Sequence, residues 1–258
     1  MENFRFKKKY GQNFLRDEKV LDNIVNSIEN DRNYLVIEVG AGDGALTKKL
    51  LEKNFQVFSY EVDETLKSKL NLIKNDNFNY VINDFMKADV LHDIEGYSYG
   101  ELIMVANLPY YITTPILEKV MSLNIFSKVV VMVQDEVARR LCSQPGNKDY
   151  AAFTILLDYF FEREYLFFVN KNSFYPVPGV DSAVVKLDRK TNLADTNVEK
   201  LKKVIYDSFR FKRKNLKNNL FDYDLNIVEK VLHNYGFSLN DRAEMLPLEF
   251  FVDLTNSL

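Results

Sequence analysis

The sequence predicts an α/β fold in which a mostly parallel sheet is covered by helices on both faces, followed by a small all-helical domain. Three observations carry that prediction. Apolar runs alternate with amphipathic stretches from Tyr34 to Gln134, the first run stops in a turn containing Gly40, Gly42 and Gly44, and after a polar stretch at 188–197 only helical spacing remains.

Each element follows in order. In "RDEKVLDNIVNSIEN" (16–30), Val20, Leu21, Ile24, Val25 and Ile28 recur at helical spacing. "YLVIEVG" (34–40) is apolar nearly throughout and ends at glycine, as a strand buried on both faces does. "ALTKKLLEK" then reads as helix, "FQVFSYEVD" as strand, "ETLKSKLNLI" as helix, "FNYVINDF" and "ELIMVANL" as strands, "TTPILEKVMSL" as helix and "KVVVMVQ" as strand. Strands separated by helices imply right-handed crossovers and parallel pairing. "DYAAFTILLDYFF" reads as a buried helix, and "EREYLFFV" with "SAVVKLDRK" suggests a hairpin at the end of the sheet. "VEKLKKVIYDSF", "DLNIVEKVLHNYGF" and "PLEFFVDLTNSL" complete a helical tail, so the expected domains are 1–190 and 191–258.

Composition narrows the chemistry. The chain has 258 residues, 47% of them hydrophobic, enough for one ordinary core and a small second one. No apolar stretch approaches the ~20 residues of a membrane span. The N-terminus has lysines and no apolar core after them, so it does not read as a secretory signal, and a cytoplasmic location is expected. Cys142 is the only cysteine, and the two histidines, His92 and His233, are far apart, which disfavours a disulfide or a thiolate or histidine metal centre. Net charge is −3, yet "RFKKKYG" (5–11) and "FRFKRKNLKNNL" (209–220) carry basic residues and no acids. Each alone reads equally as a solvated helix face; two in an acidic chain point toward nucleic acid.

The strand ends carry the candidate site. The glycine turn "EVGAGDGALTKKL" lets a ligand approach the backbone at the carboxyl edge of the sheet, and Glu61 in "YEVD" ends the next strand, where such folds present an acid to ribose hydroxyls. The spacing is G-x-G-x-G with Asp43 inside it, not the G-x-G-x-x-G of a dinucleotide site. A carboxylate there repels phosphate and tolerates a sulfonium, which selects S-adenosylmethionine. Asp84, at the end of the third strand, is placed to accept a hydrogen bond from that cofactor's adenine amine; read alone, it fits a turn cap equally.

At the same edge stands Asn107-Leu108-Pro109-Tyr110, which resembles the amino-methyltransferase signature in its N-[I/L]-P-Y form. An exocyclic amine is a poor nucleophile because its lone pair is delocalised into the ring. The Asn107 oxygen and the Leu108 carbonyl can accept its two N–H groups and aim the lone pair at a methyl group, while Pro109 fixes the carbonyl's direction. Tyr110 offers a stacking face worth ~1–3 kcal/mol, without need of its hydroxyl.

The resemblance extends further. "KKKYGQNFL", "VIEVGAGDGALT", "VANLPYYITTPIL", "MVQDEVARRL", "FYPVPGVDSAVVKL", "FRFKRKNLKNNL" and "RAEMLPLEFFVDL" occur in the order seen in the small-subunit ribosomal RNA adenine dimethyltransferases of the KsgA type. That resemblance implies a Rossmann-like class I methyltransferase fold and dimethylation of two adjacent adenines near the 3′ end of 16S rRNA. It implies a monomer acting on the small ribosomal subunit or its precursor, without a membrane. It carries cofactor contacts onto Asn13, Leu15, Gly40, Glu61, Asp84 and Asn107, and catalysis onto Asn107 through Tyr110. Phe174 resembles a second aromatic that sandwiches the target base, although alone it reads more readily as core. Arg210, Lys212, Arg213, Lys214 and Lys217 would meet RNA phosphates. Two positions depart from the family pattern: Tyr111 stands where Asn is common, and Gly179 where a lysine is common. The nearest rival reading is the related 23S rRNA adenine methyltransferase of macrolide resistance, and a non-catalytic assembly or transcription factor on the same scaffold is another; "NLPYYITTPIL" and the "RAEMLPLEFF" tail favour the small-subunit enzyme.

Overall fold

The computed structural model describes residues 12–29 and 33–258. The basic stretch 5–11 therefore lies outside the described residues. In chain order the elements are β1 (Phe14–Leu15), α1 (Glu18–Asn26), β2 (Tyr34–Val39), α2 (Ala45–Glu52), β3 (Gln56–Glu61), α3 (Lys67–Leu70), β4 (Phe78–Ile82), α4 (Val90–Asp93) and β5 (Glu101–Asn107). They continue with α5 (Thr113–Leu123), β6 (Lys128–Gln134), α6 (Asp135–Leu141), α7 (Ala152–Phe160), β7 (Phe161–Val169), β8 (Phe174–Tyr175) and β9 (Ser182–Arg189). Helices α8 (Val198–Ser208), α9 (Leu216–Asn219), α10 (Leu225–Asn234) and α11 (Leu248–Ser257) end the chain.

Seven strands form one sheet in the order β4-β3-β2-β5-β6-β9-β7, the Rossmann-like methyltransferase arrangement, with helices on both faces. The pairs from β4 to β6 are parallel, and β9 enters antiparallel to β6. Every residue of β2 is buried, as are Leu102–Ala106 of β5 and Val129–Val133 of β6, which is why these strands read as unbroken apolar runs. Helix α1 starts where the Asp17 carboxylate accepts the N–H groups of Lys19 and Val20, and it buries Leu21, Ile24 and Val25. Pro115 is tolerated in the first turn of α5, where its missing N–H has no intrahelical partner. The helix expected over 64–73 is instead a 3-10 turn, Glu64–Leu66, leading into the single turn α3: Leu66 and Leu70 reach the core, whereas Leu72 is left 79% exposed.

The chain separates into two compact units: the described residues up to Ala138 with Glu164–Asp188, and Arg139–Arg163 with Arg189–Leu258. The expected division at residue 190 left out this crossing. The segment 139–163 groups with the C-terminal helices because α7 buries Ile155 and Leu157 and packs against α8 and α11, whose Leu201, Ile205, Phe250 and Phe251 are fully buried. Arg163, almost wholly buried, ties this segment together by pairing with Asp158 at 3.0 Å and donating to the carbonyls of Leu141 and Ser143.

One acid lies inside the sheet. Glu38 of β2 is buried, and its Oε2 accepts from Thr47 and Ser59 hydroxyls, each at 2.6 Å. Burial pushes its carboxyl up to about 7 despite those donors. The folded state then holds a proton that the unfolded chain releases near 4.5. Stability is expected to fall as pH rises from about 4.5 to about 7, by about 3 kcal/mol in total for this group. Glu38→Gln, which keeps an acceptor for both hydroxyls, should flatten that fall. Chemical unfolding at acidic and mildly alkaline pH checks it, and an unchanged slope would remove Glu38 as its source.

Candidate active site

Parallel register assembles the site. Val39 pairs with Tyr60 on one side and Ala106 on the other, so the next residues, Gly40, Glu61 and Asn107, stand in one row at the carboxyl edge of the sheet. They line a cleft of about 640 Å³, counted to its open mouth, together with Gln12, Asn13, Phe14, Gly42, Val62, Leu66, Leu108, Pro109, Tyr110 and Phe174. Its lining of glycine backbone, a carboxylate, amide groups and aromatic rings suits a nucleoside.

The glycine turn owes its shape to φ angles of +82° at Gly40, +60° at Gly42 and +81° at Gly44, which L side chains rarely adopt. A Cβ at Gly42 would stand 3.0 Å from the Phe14 ring, and one at Gly44 would stand 2.5 Å from Ile73. The backbone of the turn therefore forms the cleft floor without side chains. Glu61 Oε2 accepts the Gly42 N–H and Oε1 accepts the Asp63 N–H, both at 2.8 Å. Burial raises its pKa and those backbone donors oppose the rise. Each oxygen retains a lone pair for a ligand hydroxyl.

Asn107 is oriented by a neighbour that can only accept. Its Nδ2 donates to the Asn13 carbonyl at 3.2 Å, so Oδ1 is left as an acceptor. The Leu108 N–H donates to the Met132 carbonyl at 3.1 Å, and the Pro109 carbonyl accepts the Ile112 N–H at 3.1 Å, closing a tight turn. The Tyr110 hydroxyl lies 3.0 Å from the buried Ser182 Oγ, which tethers the ring, and burial raises its pKa. Tyr111 is 64% exposed and lines no part of the cleft.

The segment from Gln12 to Asp17 is fastened at several points. Gln12 donates to Asp63 at 2.6 Å, Arg16 pairs with Asp43, and β1 forms a two-residue ladder with β8 in which Phe14 faces Tyr175 and Leu15 faces Phe174. Ser173 adds a hydroxyl bond to Asp17 and accepts the Arg16 N–H through its carbonyl. Asp43 therefore faces a guanidinium, and the expectation that its bare charge screens ligands at the turn does not hold.

Asn13, Gly40, Glu61, Asn107, Leu108, Pro109, Tyr110 and Phe174 thus meet in the cleft. Leu15 is core, behind the glycine turn. Phe174 is buried at 3% exposure and presents only part of its ring to the cleft. Asp84 does not line the cleft: its Oδ1 caps the Met86 N–H at 2.9 Å. In the C-terminal unit, Arg210 is held by Asp207 and Asp222, whereas Lys212, Arg213, Lys214 and Lys217 are exposed. The buried Asn219 shapes that loop, donating to the Ser208 carbonyl and accepting the Phe211 N–H. Sequence reasoning missed Gln12, Phe14, Val62 and Leu66. Val62 had a signal, an apolar residue directly after the strand-end acid, and it is 44% exposed.

The family model for "Ribosomal RNA adenine dimethylase" matches residues 3–258. The chain is 40% identical over 255 residues to the ribosomal RNA small subunit methyltransferase A of Aster yellows witches'-broom phytoplasma, covering 96% of this chain and 94% of that one. It is 39% identical to the Lactococcus lactis protein of the same name, covering 99% and 90%. Among solved structures it resembles the 23S rRNA methyltransferase ErmE (27% identity, TM-score 0.74, covering 95% and 99%). It also resembles a dimethyladenosine transferase from Plasmodium falciparum (26% identity, TM-score 0.74, covering 93% and 95%).

Gly42→Ala tests the packing of the turn. It should cost about 2 kcal/mol in thermal or chemical unfolding, combining ~1 kcal/mol of left-handed strain with the clash on Phe14. In a Phe14→Ala background the clash is absent, and only the backbone share should remain; equal costs in both backgrounds would show that Phe14 is not the opposing wall.

Proposed function

The chain belongs to the ribosomal RNA adenine dimethylase family, and from that membership we infer that it transfers methyl groups from S-adenosylmethionine to the N6 amines of adenines in 16S rRNA. The observation that carries the mechanism is the Asn107 amide, turned by the Asn13 carbonyl so that its oxygen is the free acceptor. The cleft suits the cofactor: Gly40 and Gly42 keep the floor clear of side chains, and Glu61, clamped by two backbone N–H groups, offers acceptors for ribose hydroxyls.

When bound, S-adenosylmethionine supplies an electrophilic methyl group on a sulfonium. Asn107 Oδ1 and the Leu108 carbonyl accept the two hydrogens of the adenine amine, drawing it toward tetrahedral geometry and directing its lone pair. Pro109 holds the turn that sets the Leu108 carbonyl. Tyr110 stacks on the flipped base, and its tether to Ser182 limits the ring's rotation. The methylated amine is acidic enough to lose its proton to water, so no histidine is required. Asn13 acts through its carbonyl, Leu15 through packing behind the turn, Asp84 through its second carboxylate oxygen toward the adenine amine, and Phe174 through the part of its ring that reaches the cleft.

The substrate adenines are the adjacent pair near the 3′ end of 16S rRNA, presented in the small subunit or its precursor. Lys212, Arg213, Lys214 and Lys217 bind RNA phosphates, while Arg210, committed to two carboxylates, shapes the loop that carries them. We take the protein to act as a monomer in the cytoplasm; its single cysteine suits a reducing compartment, and no helix among the described residues is long and apolar enough to cross a membrane. The small-subunit reading is supported over the 23S alternative by curated relatives near 40% identity that carry the small-subunit name.

Purified protein with labelled S-adenosylmethionine should dimethylate small subunits from a strain lacking this modification; label confined to large-subunit RNA, or absent, refutes the assignment. Asn107→Ala should lower kcat by about 10²-fold or more while changing cofactor affinity by less than about tenfold. Equal losses in both would refute the amine-positioning role.

A further inference from the structure

The turn after β4 carries Asp84, and its carbonyls converge on one cation. Lys119 Nζ donates to the carbonyls of Phe85 at 2.6 Å, Met86 at 3.2 Å and Ala88 at 2.7 Å, so all three hydrogens of one ammonium are used on a single turn. The same Nζ stands 5.0 Å from the centre of the Phe85 ring. Lys119 is half-buried, and Asp84, Asp89 and Asp93 favour its charged form against the burial that draws its pKa down.

From within, the turn is closed by the Asp84 carboxylate on the Met86 N–H and by the Asp84 carbonyl on the N–H groups of Lys87 and Ala88. Those bonds fix the turn's shape. The start of the turn is attached to β3 by the Asn83 N–H on the Glu61 carbonyl at 2.9 Å and by the buried Phe85 ring against Tyr60, whereas the carbonyls of Phe85, Met86 and Ala88 are tied across to α5 by Lys119. That helix begins one residue after the Pro109–Ile112 turn. One rigid element therefore holds the loop that receives the target amine at its start and, about 1.7 turns later, the turn bearing Asp84.

We propose that Lys119 is a positioning residue for the base of the cofactor, holding the Asp84 turn in register with the methyl-transfer loop so that the adenine amine is recognised. The proposal rests on the reading of Asp84 given above. A lysine that merely capped carbonyls would stabilise the fold without regard to which base the ligand carries.

Calorimetric titration of the full chain with S-adenosylhomocysteine, and with its inosine analogue in which a carbonyl oxygen replaces the exocyclic amine, separates the two. The wild type should prefer the adenosine ligand. Lys119→Met should weaken that ligand about tenfold and the inosine ligand less than about twofold, with the kinetic loss falling on cofactor KM more than on kcat. Aminoethylation of Lys119→Cys in a Cys142→Ser background, which restores an ammonium of similar reach, should restore the preference. Equal weakening of both ligands, a preference untouched by Lys119→Met, or failure of the rescue would overturn the proposal. Asp84→Ala is the independent arm. If it keeps the preference while Lys119→Met loses it, the Asp84 reading fails and Lys119 acts through the backbone of the turn. If the wild type shows no preference, both fail.

Discussion

Parallel register along β2 is the constraint on which the site depends. Because β2 pairs in step with β3 on one side and β5 on the other, the residues that end these strands emerge in a single row. Gly40, Glu61 and Asn107 then need no special arrangement to meet; a slip of one residue in either ladder would turn the strand-end side chain to the other face of the sheet. The crossover helices enforce that register by burying both faces of β2, so the packing of the core and the spacing of the site have one cause.

Around that row, polar groups are positioned by partners that leave them no choice. A main-chain carbonyl cannot donate, so the Asn13 carbonyl forces Asn107 to present nitrogen on one side and oxygen on the other. Two backbone N–H groups hold Glu61 against the cost of its burial. Arg16 neutralises Asp43 beside the glycine turn while its guanidinium lies 5.4 Å from the Phe14 ring centre, so charge pairing and wall packing come from the same residue. The segment 12–17 supplies three of these contacts, which makes it a structural part of the cleft as well as a leader into α1.

Much of this was legible in the sequence. Strands buried on both faces are visible as unbroken apolar runs, and the turn residues Gly40, Gly42 and Gly44 announce a backbone conformation that side chains avoid. What escaped is what periodicity cannot encode. The β1–β8 ladder has two residues per strand, too few for any alternation. The pair formed by Arg16 and Asp43 spans 27 positions and leaves no local mark. Helix α7 reads as buried, but apolar residues do not state whose core they join, and this one joins the C-terminal unit. Asp43 led to the correct cofactor through a premise that the structure removes: its charge is matched by Arg16. A phosphate is disfavoured instead because the N–H groups of Gly40, Gly42 and Gly44 are already donated to protein acceptors and because the Glu61 carboxylate stands beside them. Asp84 was ambiguous because the same carboxylate can cap and bind, and Lys119 was invisible because a lysine on a helix ordinarily reads as solvated.

The cleft explains the chemistry and leaves the choice of RNA to other surfaces. On the proposed reading its acceptors address an exocyclic amine and its tyrosine a base face, features shared by adenines in any RNA. The 23S rRNA methyltransferase ErmE shares this fold across 95% of the chain at 27% identity, so a common frame serves proteins named for different RNAs. Discrimination must then reside where residues are free to vary without disturbing the row of strand ends. Tyr111 meets that condition, exposed directly after a cleft residue, and so do Lys212, Arg213, Lys214 and Lys217, whose loop is fixed from inside by Asn219 while its cations face solvent. Phosphate contacts fix position and carry little sequence information, so cations of this kind set where an RNA surface docks more than which bases it contains. In a chain with a net charge of −3, basic residues concentrated in short acid-free stretches such as 209–220 favour contact with RNA at a few positions over unspecific binding along it.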